Sequence, residues 1–113
     1  MKVPPSRHPQ SQRFHDILDQ CKALHDKKQQ DYGRDTDPFA NVRGSTEWGM
    51  EAWVGSMIRA HDKIRRLQQY ARKGYLANEG VADAFMDLIN YAGIAMVLWE
   101  ESVRDEDERM ARP

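Results

Sequence analysis

Asp83, Asp87 and Asn90 are the strongly polar residues of a stretch, 81–99, that is otherwise almost entirely apolar, and Glu79 stands just before it. At 100° per residue, Glu79, Asp83, Asp87 and Asn90 fall within about 80° of one another. A helix here therefore carries one acidic stripe on a hydrophobic body. A helix apolar nearly all round is normally buried, and buried carboxylates are paired or coordinate a metal. Upstream, Glu51 and Asp62 occur with Arg59, Lys63 and Arg66, and Glu51, Gly55, Arg59, Asp62 and Arg66 share a second stripe about 80° wide. If the two helices pack antiparallel, the stripes meet in one cleft. Hard divalent cations such as Mg²⁺ prefer oxygen ligands and keep waters for substrate phosphates, and Lys and Arg suit phosphate oxygens. The combination points to metal-assisted attack on a phosphoanhydride. The competing reading is structural: Asp62 pairs with Arg66 at i+4, and Asp83 and Asp87 face solvent. On the metal reading Asp83 and Asp87 share an ion, so Asp87→Asn should leave the apo fold equally or more stable by removing a like-charge repulsion.

Periodicity supplies the elements that must hold these groups. Phe14, Ile17, Leu18, Cys21 and Leu24 recur at helical spacing, which predicts a first helix over 11–30. Ser45 is a plausible N-cap for a second helix that kinks near Gly49 and runs to about Arg72. Its predicted apolar face is Met50, Trp53, Val54, Met57, Ile64 and Ala71, with His61 inside it. Lys73-Gly74 is a stop, and Asn78 can cap a third helix with Glu79 in its first turn. The tail from Glu100 is densely charged and is expected to fray. No strand pattern or internal repeat is visible. The expectation is an all-α bundle of three main helices with a long functional loop between the first two. Its limits are a leader over 1–10, one domain over 11–102 and a charged tail over 103–113. The third helix is apolar on too many sides for two partners to cover, so a homodimer or homotetramer should complete the bundle.

Composition narrows the classes. The chain has 113 residues, which suits one small domain, and a net charge of −1 that gives no general reason to expect nucleic-acid binding. A single cysteine, Cys21, excludes an intramolecular disulfide framework, and its place in the periodic pattern marks it as a core thiol. The N-terminal residues have no apolar stretch of signal-peptide kind. The 81–99 run is barely long enough for a membrane span and carries two Asp, so a soluble cytoplasmic protein without a membrane partner is expected. His-Asp occurs at 15–16, 25–26 and 61–62. These pairs read as chance dipeptides rather than the ligand set of an HD-type phosphohydrolase. No Ser-His-Asp arrangement, Gly-rich phosphate loop or thiol–imidazole pair can be assembled from local motifs.

The 31–45 segment is long for a passive connection, and long ordered loops are often functional. It holds Asp31-Tyr32-Gly33 and Phe39-Ala40-Asn41, with Lys28 one helical turn before its start. Tyr32 and Phe39 could stack on a base, and Asn41 could read a base edge. The loop is expected to order over a bound nucleotide and to supply base selectivity.

Four strings carry a resemblance: Lys28-Gln-Gln-Asp31-Tyr32-Gly33, Pro38-Phe39-Ala40-Asn41, Arg59-Ala-His-Asp62-Lys63-Ile-Arg-Arg66-Leu67, and Asp83-Ala-Phe-Met-Asp87-Leu-Ile-Asn90-Tyr91. They resemble the nucleotide-modification-associated domain, a small family of phage and bacterial proteins. Its pattern is roughly K-x-x-D-Y-G, F-x-N, R-x-x-D-K-x-x-R-L and D-x-x-x-D-L-x-N-Y, matched in order over about residues 25–98. That domain is in turn similar to the MazG-like all-α nucleoside triphosphate pyrophosphatases and the dimeric dUTPase-like group. The resemblance implies a helical dimer or tetramer that uses Mg²⁺ (or Mn²⁺) to hydrolyse a nucleoside triphosphate to the monophosphate and pyrophosphate. Those enzymes bind the metal through Glu-x-x-Glu on one helix and Glu-x-x-Asp on the next. Here Glu47 and Glu51 are four apart, Asp62 stands alone, and the third helix has Asp-x-x-x-Asp.

On this reading Asp62, Asp83 and Asp87 are the catalytic metal ligands, with Glu79 and Glu51 next. Lys28, Arg59, Lys63 and Arg66 neutralise phosphate charge. Asp31, Tyr32, Phe39, Asn41 and Asn90 belong to the substrate-binding set, with Tyr32, Phe39 and Asn41 at the base or sugar. The alternative on the same scaffold is a nucleotide sensor or helical adaptor that binds without hydrolysis, which the missing glutamates favour.

Overall fold

The computed structural model describes residues 7–32 and 37–112. Three long helices account for most of it: α1 (Pro9–Tyr32), α2 (Ala52–Lys73) and α3 (Val81–Ala111), with a short 3-10 helix at Arg43–Trp48 before α2. No strand occurs among the described residues. The all-α class and the three main helices agree with the sequence reading.

Local chemistry sets the ends. Pro9 occupies the first position of α1, where its missing N–H costs nothing, and Gln10 N–H donates to His8 Nδ1 at 3.1 Å. The expected kink near Gly49 is a complete break. Gly49 adopts φ 78°, and its N–H closes the 3-10 helix on Thr46 O at 3.1 Å. A left-handed residue cannot continue either helix, so α2 starts afresh after Glu51. Gly74 (φ 80°) ends α2, its N–H donating to Tyr70 O at 2.8 Å, as the Lys73-Gly74 stop predicts.

Helix α3 differs from expectation at both ends. It begins at Val81 after an extended Gly80, not at Asn78, because Glu79 is drawn back under α2 by Lys63 and Arg66. It continues without a break through the charged tail to Ala111, where Glu100/Arg104 and Asp105/Arg109 have the helix-supporting i,i+4 spacing.

Helices α2 and α3 are antiparallel neighbours: Ser56 Oγ donates to Tyr91 O at 2.8 Å, and Lys63, two turns on, meets Asp87, one turn back. The seam is made of small residues. Ser56, Ala60 and Ala84 are fully buried and Ala95 nearly so, which lets the two backbones approach closely. The predicted apolar face of α2 is therefore not its buried face. Met57 and Ile64 are about two-fifths exposed and His61 is exposed. The 3-10 segment lies against Gly55, where a Cβ would stand 2.7 Å from Ser45 Cβ and 2.9 Å from Val42 O, and would overlap Ser45 Oγ. Helix α1 crosses α3 steeply. Cys21 and Lys28, two turns apart, both meet the short stretch Met86–Asn90. Cys21 is a buried core thiol, as expected.

Candidate functional site

Where α1 crosses α3, a pocket of about 350 Å³ opens, with Asp87, Asn90 and Tyr91 of α3 on one wall and His25, Lys28 and Gln29 of α1 on another. Arg59 of α2 and the turn Pro38–Val42 close it. The volume lies in the usual range for small-molecule sites. The turn is held from two sides. Phe39 N–H donates to Asp37 Oδ1 at 3.1 Å, an Asx-type turn. Arg43 then ties Asp37 (2.7 Å) to Glu101 (3.0 Å), fastening this segment to the far half of α3. The hydrogen bond to Glu101 raises the Arg43 guanidinium above its ordinary value; burial works against this, and the Asp37 bond with the charges of both carboxylates adds to the rise. Phe39 sits beside His25, ring centroids 5.9 Å apart and tilted by 33°.

Among the described residues Asp87 is the only acidic one that lines the pocket, and it is 5% exposed. Lys28 Nζ lies 2.7 Å from its Oδ1 and Lys63 Nζ 3.0 Å from its Oδ2. Lys63 also holds Glu79 Oε1 at 2.7 Å. Arg66 Nε stands 3.2 Å from Glu79 Oε2, near enough for an ion pair, yet that buried oxygen accepts no hydrogen bond, so the approach is off-axis. The result is a chain of alternating charge, Lys28–Asp87–Lys63–Glu79–Arg66, running from the pocket into the α2–α3 seam. Desolvation pushes the Asp87 carboxyl up, but hydrogen bonds from Lys28 and Lys63, with their charges, outweigh it and hold it below the ordinary value. Asp87 is thus an ionised acceptor at neutral pH. Burial pulls Lys63 down, and its bonds to Glu79 and Asp87 more than reverse this. The Cys21 thiol is raised by burial first and by the Asp87 charge second. Asn90 Nδ2 donates to Cys21 O at 3.0 Å, and among the described residues nothing donates to its side-chain oxygen.

The fold gathers Lys28, Phe39, Asn41, Arg59, Asp87 and Asn90 of the predicted set around one cavity. It places Lys63, Glu79 and Arg66 behind Asp87 in the ion chain. It does not bring Asp62 and Asp83 to them; both are exposed. Glu51 flanks α2 on the solvent side, bonded to Trp53 Nε1. Asp31 is exposed at the end of α1. The Tyr32 side chain and Gly33 lie outside what the structure describes. The predicted metal set Asp62, Glu79, Asp83 and Asp87 is therefore not assembled in this arrangement. Both oxygens of Asp87 face ammonium groups, and among the described residues no three acidic, His or Cys side chains converge as ligands. Gln29, Val42 and Ile94 line the pocket without a place in the sequence reading, while His25 figures there only in a His-Asp dipeptide and Tyr91 only within a resemblance string. His25 was legible, since it lies one turn before Lys28 on the same face of α1. No family model, curated protein or solved structure matches the chain.

Proposed function

We propose that this pocket binds a nucleotide. One observation carries the reading: ring-bearing groups (Phe39, His25, Tyr91), amides (Asn41, Asn90) and cations (Lys28, Arg59) line a single cavity of nucleotide scale. Aromatic faces stack on bases, amides discriminate base edges, and Lys and Arg pair with phosphate oxygens. Residues from all four strings that resemble the nucleotide-modification-associated domain line this one cavity, which supports reading those strings as one functional unit.

The first use proposed for the site is Mg²⁺-dependent pyrophosphohydrolysis of a (deoxy)nucleoside triphosphate in control of a nucleotide pool, in host cytoplasm if the chain is phage-encoded. A triphosphate can carry Mg²⁺ on its own oxygens, with Lys28 and Arg59 supplying further positive charge. The second use is binding without hydrolysis, and a specific observation favours it. Asp87 and Glu79, the two predicted ligands nearest the pocket, are already paired with cations.

Calorimetric titration and pyrophosphate release, run side by side over common and modified nucleoside triphosphates with Mg²⁺ or Mn²⁺, separate these uses. Binding with release supports the hydrolase, and binding without release supports the sensor. Absence of binding across the panel sinks the nucleotide site.

A further inference from the structure

Helix α3 has a second face. Phe85, Ile89, Ala92, Met96, Trp99 and Val103 follow one another at spacings of four, three, four, three and four residues. That is a heptad rhythm, the signature of helices that pair along a seam. At 100° per residue the six fall within about 80° of each other, on the side of α3 turned away from Asp87 and Leu98. The protomer leaves this stripe open: Phe85 is 53% exposed, Met96 61% and Trp99 47%. Nothing in the nucleotide pocket explains it.

We infer that this stripe is the interface with a second copy of the chain, and that two α3 helices pair antiparallel about a twofold axis between Ala92 and Met96. Three observations select that occupant and that direction. The stripe is self-complementary in size. With its centre as the axis, Phe85 faces Val103 of the partner copy, Ile89 faces Trp99, and Ala92 faces Met96, so each large side chain meets a smaller one. An isologous interface demands this reciprocity. Charge selects the direction. The C-terminal part of α3 holds Glu100, Glu101, Asp105, Glu106, Asp107 and Glu108. A parallel pair would lay these acidic runs side by side, whereas an antiparallel pair puts them at opposite ends, and like-charge juxtaposition is costly. Area agrees. The chain exposes 8885 Å², against about 6,400 Å² for a compact monomer of its 13.1 kDa mass. The excess over the whole chain, roughly 2,500 Å², exceeds the roughly 800 Å² that one partner contributes to a standard interface. By length and composition α3 also passes as a membrane span, with only 22% of its most apolar window buried. Lipid is thus the rival occupant of the same face.

Sedimentation equilibrium of the full chain at micromolar concentration is the first measurement, and twice 13.1 kDa is the expected mass. Ala92→Lys and Met96→Glu, each alone, should weaken association at least tenfold while the helical circular dichroism spectrum and melting of the protomer persist. The double variant Ala92→Lys/Met96→Glu should recover dimer, because the new charges face each other across an antiparallel seam. In a parallel seam lysine meets lysine and glutamate meets glutamate, and the double variant would be worse than either single one. A wild-type monomer, unchanged association in both single variants, a double variant worse than either, or flotation of the chain with phosphatidylcholine vesicles overturns the proposal.

Discussion

Replacing Asp87 by Asn tests the physical account of the site most directly. The amide keeps the size of the side chain and removes its charge. Two ammonium groups lose a carboxylate at 2.7 and 3.0 Å, and they differ in what happens next. Lys28 is 41% exposed and can turn to water, so its share of the loss is small. Lys63 is only 16% exposed and keeps Glu79 as its remaining partner. Removing one member of a buried ion pair costs about 3–5 kcal/mol. The surviving Glu79 contact and the exposure of Lys28 bring the expected cost to roughly 2–3 kcal/mol, on the order of 10 °C in melting temperature for a chain of this size. This reverses the expectation from Asp83–Asp87 repulsion, because Asp83 points to solvent and Asp87 is compensated. The pH dependence carries a second signature. Asp87 has a folded pKa below its unfolded value, so its contribution is present above the ordinary carboxylate range and is lost as pH falls through the depressed value. The acid limb of a stability–pH curve should therefore be shallower in Asp87→Asn than in the wild type. Lys63 is shifted upward, so its contribution holds at neutral pH and is lost only as pH rises through its raised value. Urea denaturation from acid to neutral pH, at one protein concentration, reads the loss at neutral pH and the acid limb. A variant as stable as the wild type at neutral pH, or an unchanged acid limb, would refute the argument.

Three further substitutions probe separate links. Asn90→Ala removes the tether to the Cys21 carbonyl, which keeps its own intrahelical bond, and should cost about 1 kcal/mol in urea denaturation; a loss below about 0.5 kcal/mol, on the scale of an ordinary surface change, would show the bond to be idle. Gly55→Ala pushes a methyl into Val42 O and Ser45, and should cost roughly 1–3 kcal/mol while deprotecting the 42–48 amides in hydrogen exchange; normal protection there would contradict the close approach. Lys28→Met should change stability by about 1 kcal/mol, since Lys28 is partly exposed and the buried Asp87 keeps Lys63 as its partner, yet weaken triphosphate binding by about tenfold or more, the loss of one charged hydrogen bond. Equal losses in calorimetry for a nucleoside and its triphosphate would remove Lys28 from any phosphate role.

The sequence discloses the elements whose rules are local. The 3.6-residue period marks α1 and α3, and Gly74 marks the end of α2. It misplaces what depends on tertiary partners. The periodic pattern assigns the apolar face of α2 to Met50, Trp53, Val54, Met57, Ile64 and Ala71, with His61 inside it, because large apolar side chains outrank Ser56 and Ala60 as core formers. Close helix approach selects small residues instead, and a sequence pattern does not announce it. The pocket was legible in residue type, since Lys28, Phe39, Asn41, Arg59, Asp87 and Asn90 come together. Its charge pairing was not. The acidic stripe reads as a metal site because Lys28, Lys63 and Arg66 are assigned to substrate phosphates rather than to its carboxylates. The cations that pair with Asp87 arrive from α1 and α2, distant in sequence. Asp62 and Asp83 share their neighbours' composition, but small rotations about the helix axes leave them in solvent.

The pocket and the scaffold are joined at the same residues, and this links binding to order. Helix α1 meets α3 through Lys28–Asp87, Asn90–Cys21 and the Cys21 contact with Met86. Two of these three contacts use pocket-lining side chains of α3. The opposite end of α1 gains less from packing; Phe14 is 53% exposed and, among the described residues, stacks edge-on with its neighbour His15. The joint is therefore the site, and a ligand that touches both walls adds contacts where α1 has few of its own. Binding to the folded state alone stabilises by RT ln(1 + [L]/Kd), about 2.7 kcal/mol at a hundredfold excess over Kd. In a helix anchored over two turns, that increment is comparable to what the anchors themselves supply. Order in α1 should consequently follow occupancy of the pocket more closely than order in α2 or α3, whose shared seam of Ser56, Ala60, Ala84 and Ala95 is complete without it.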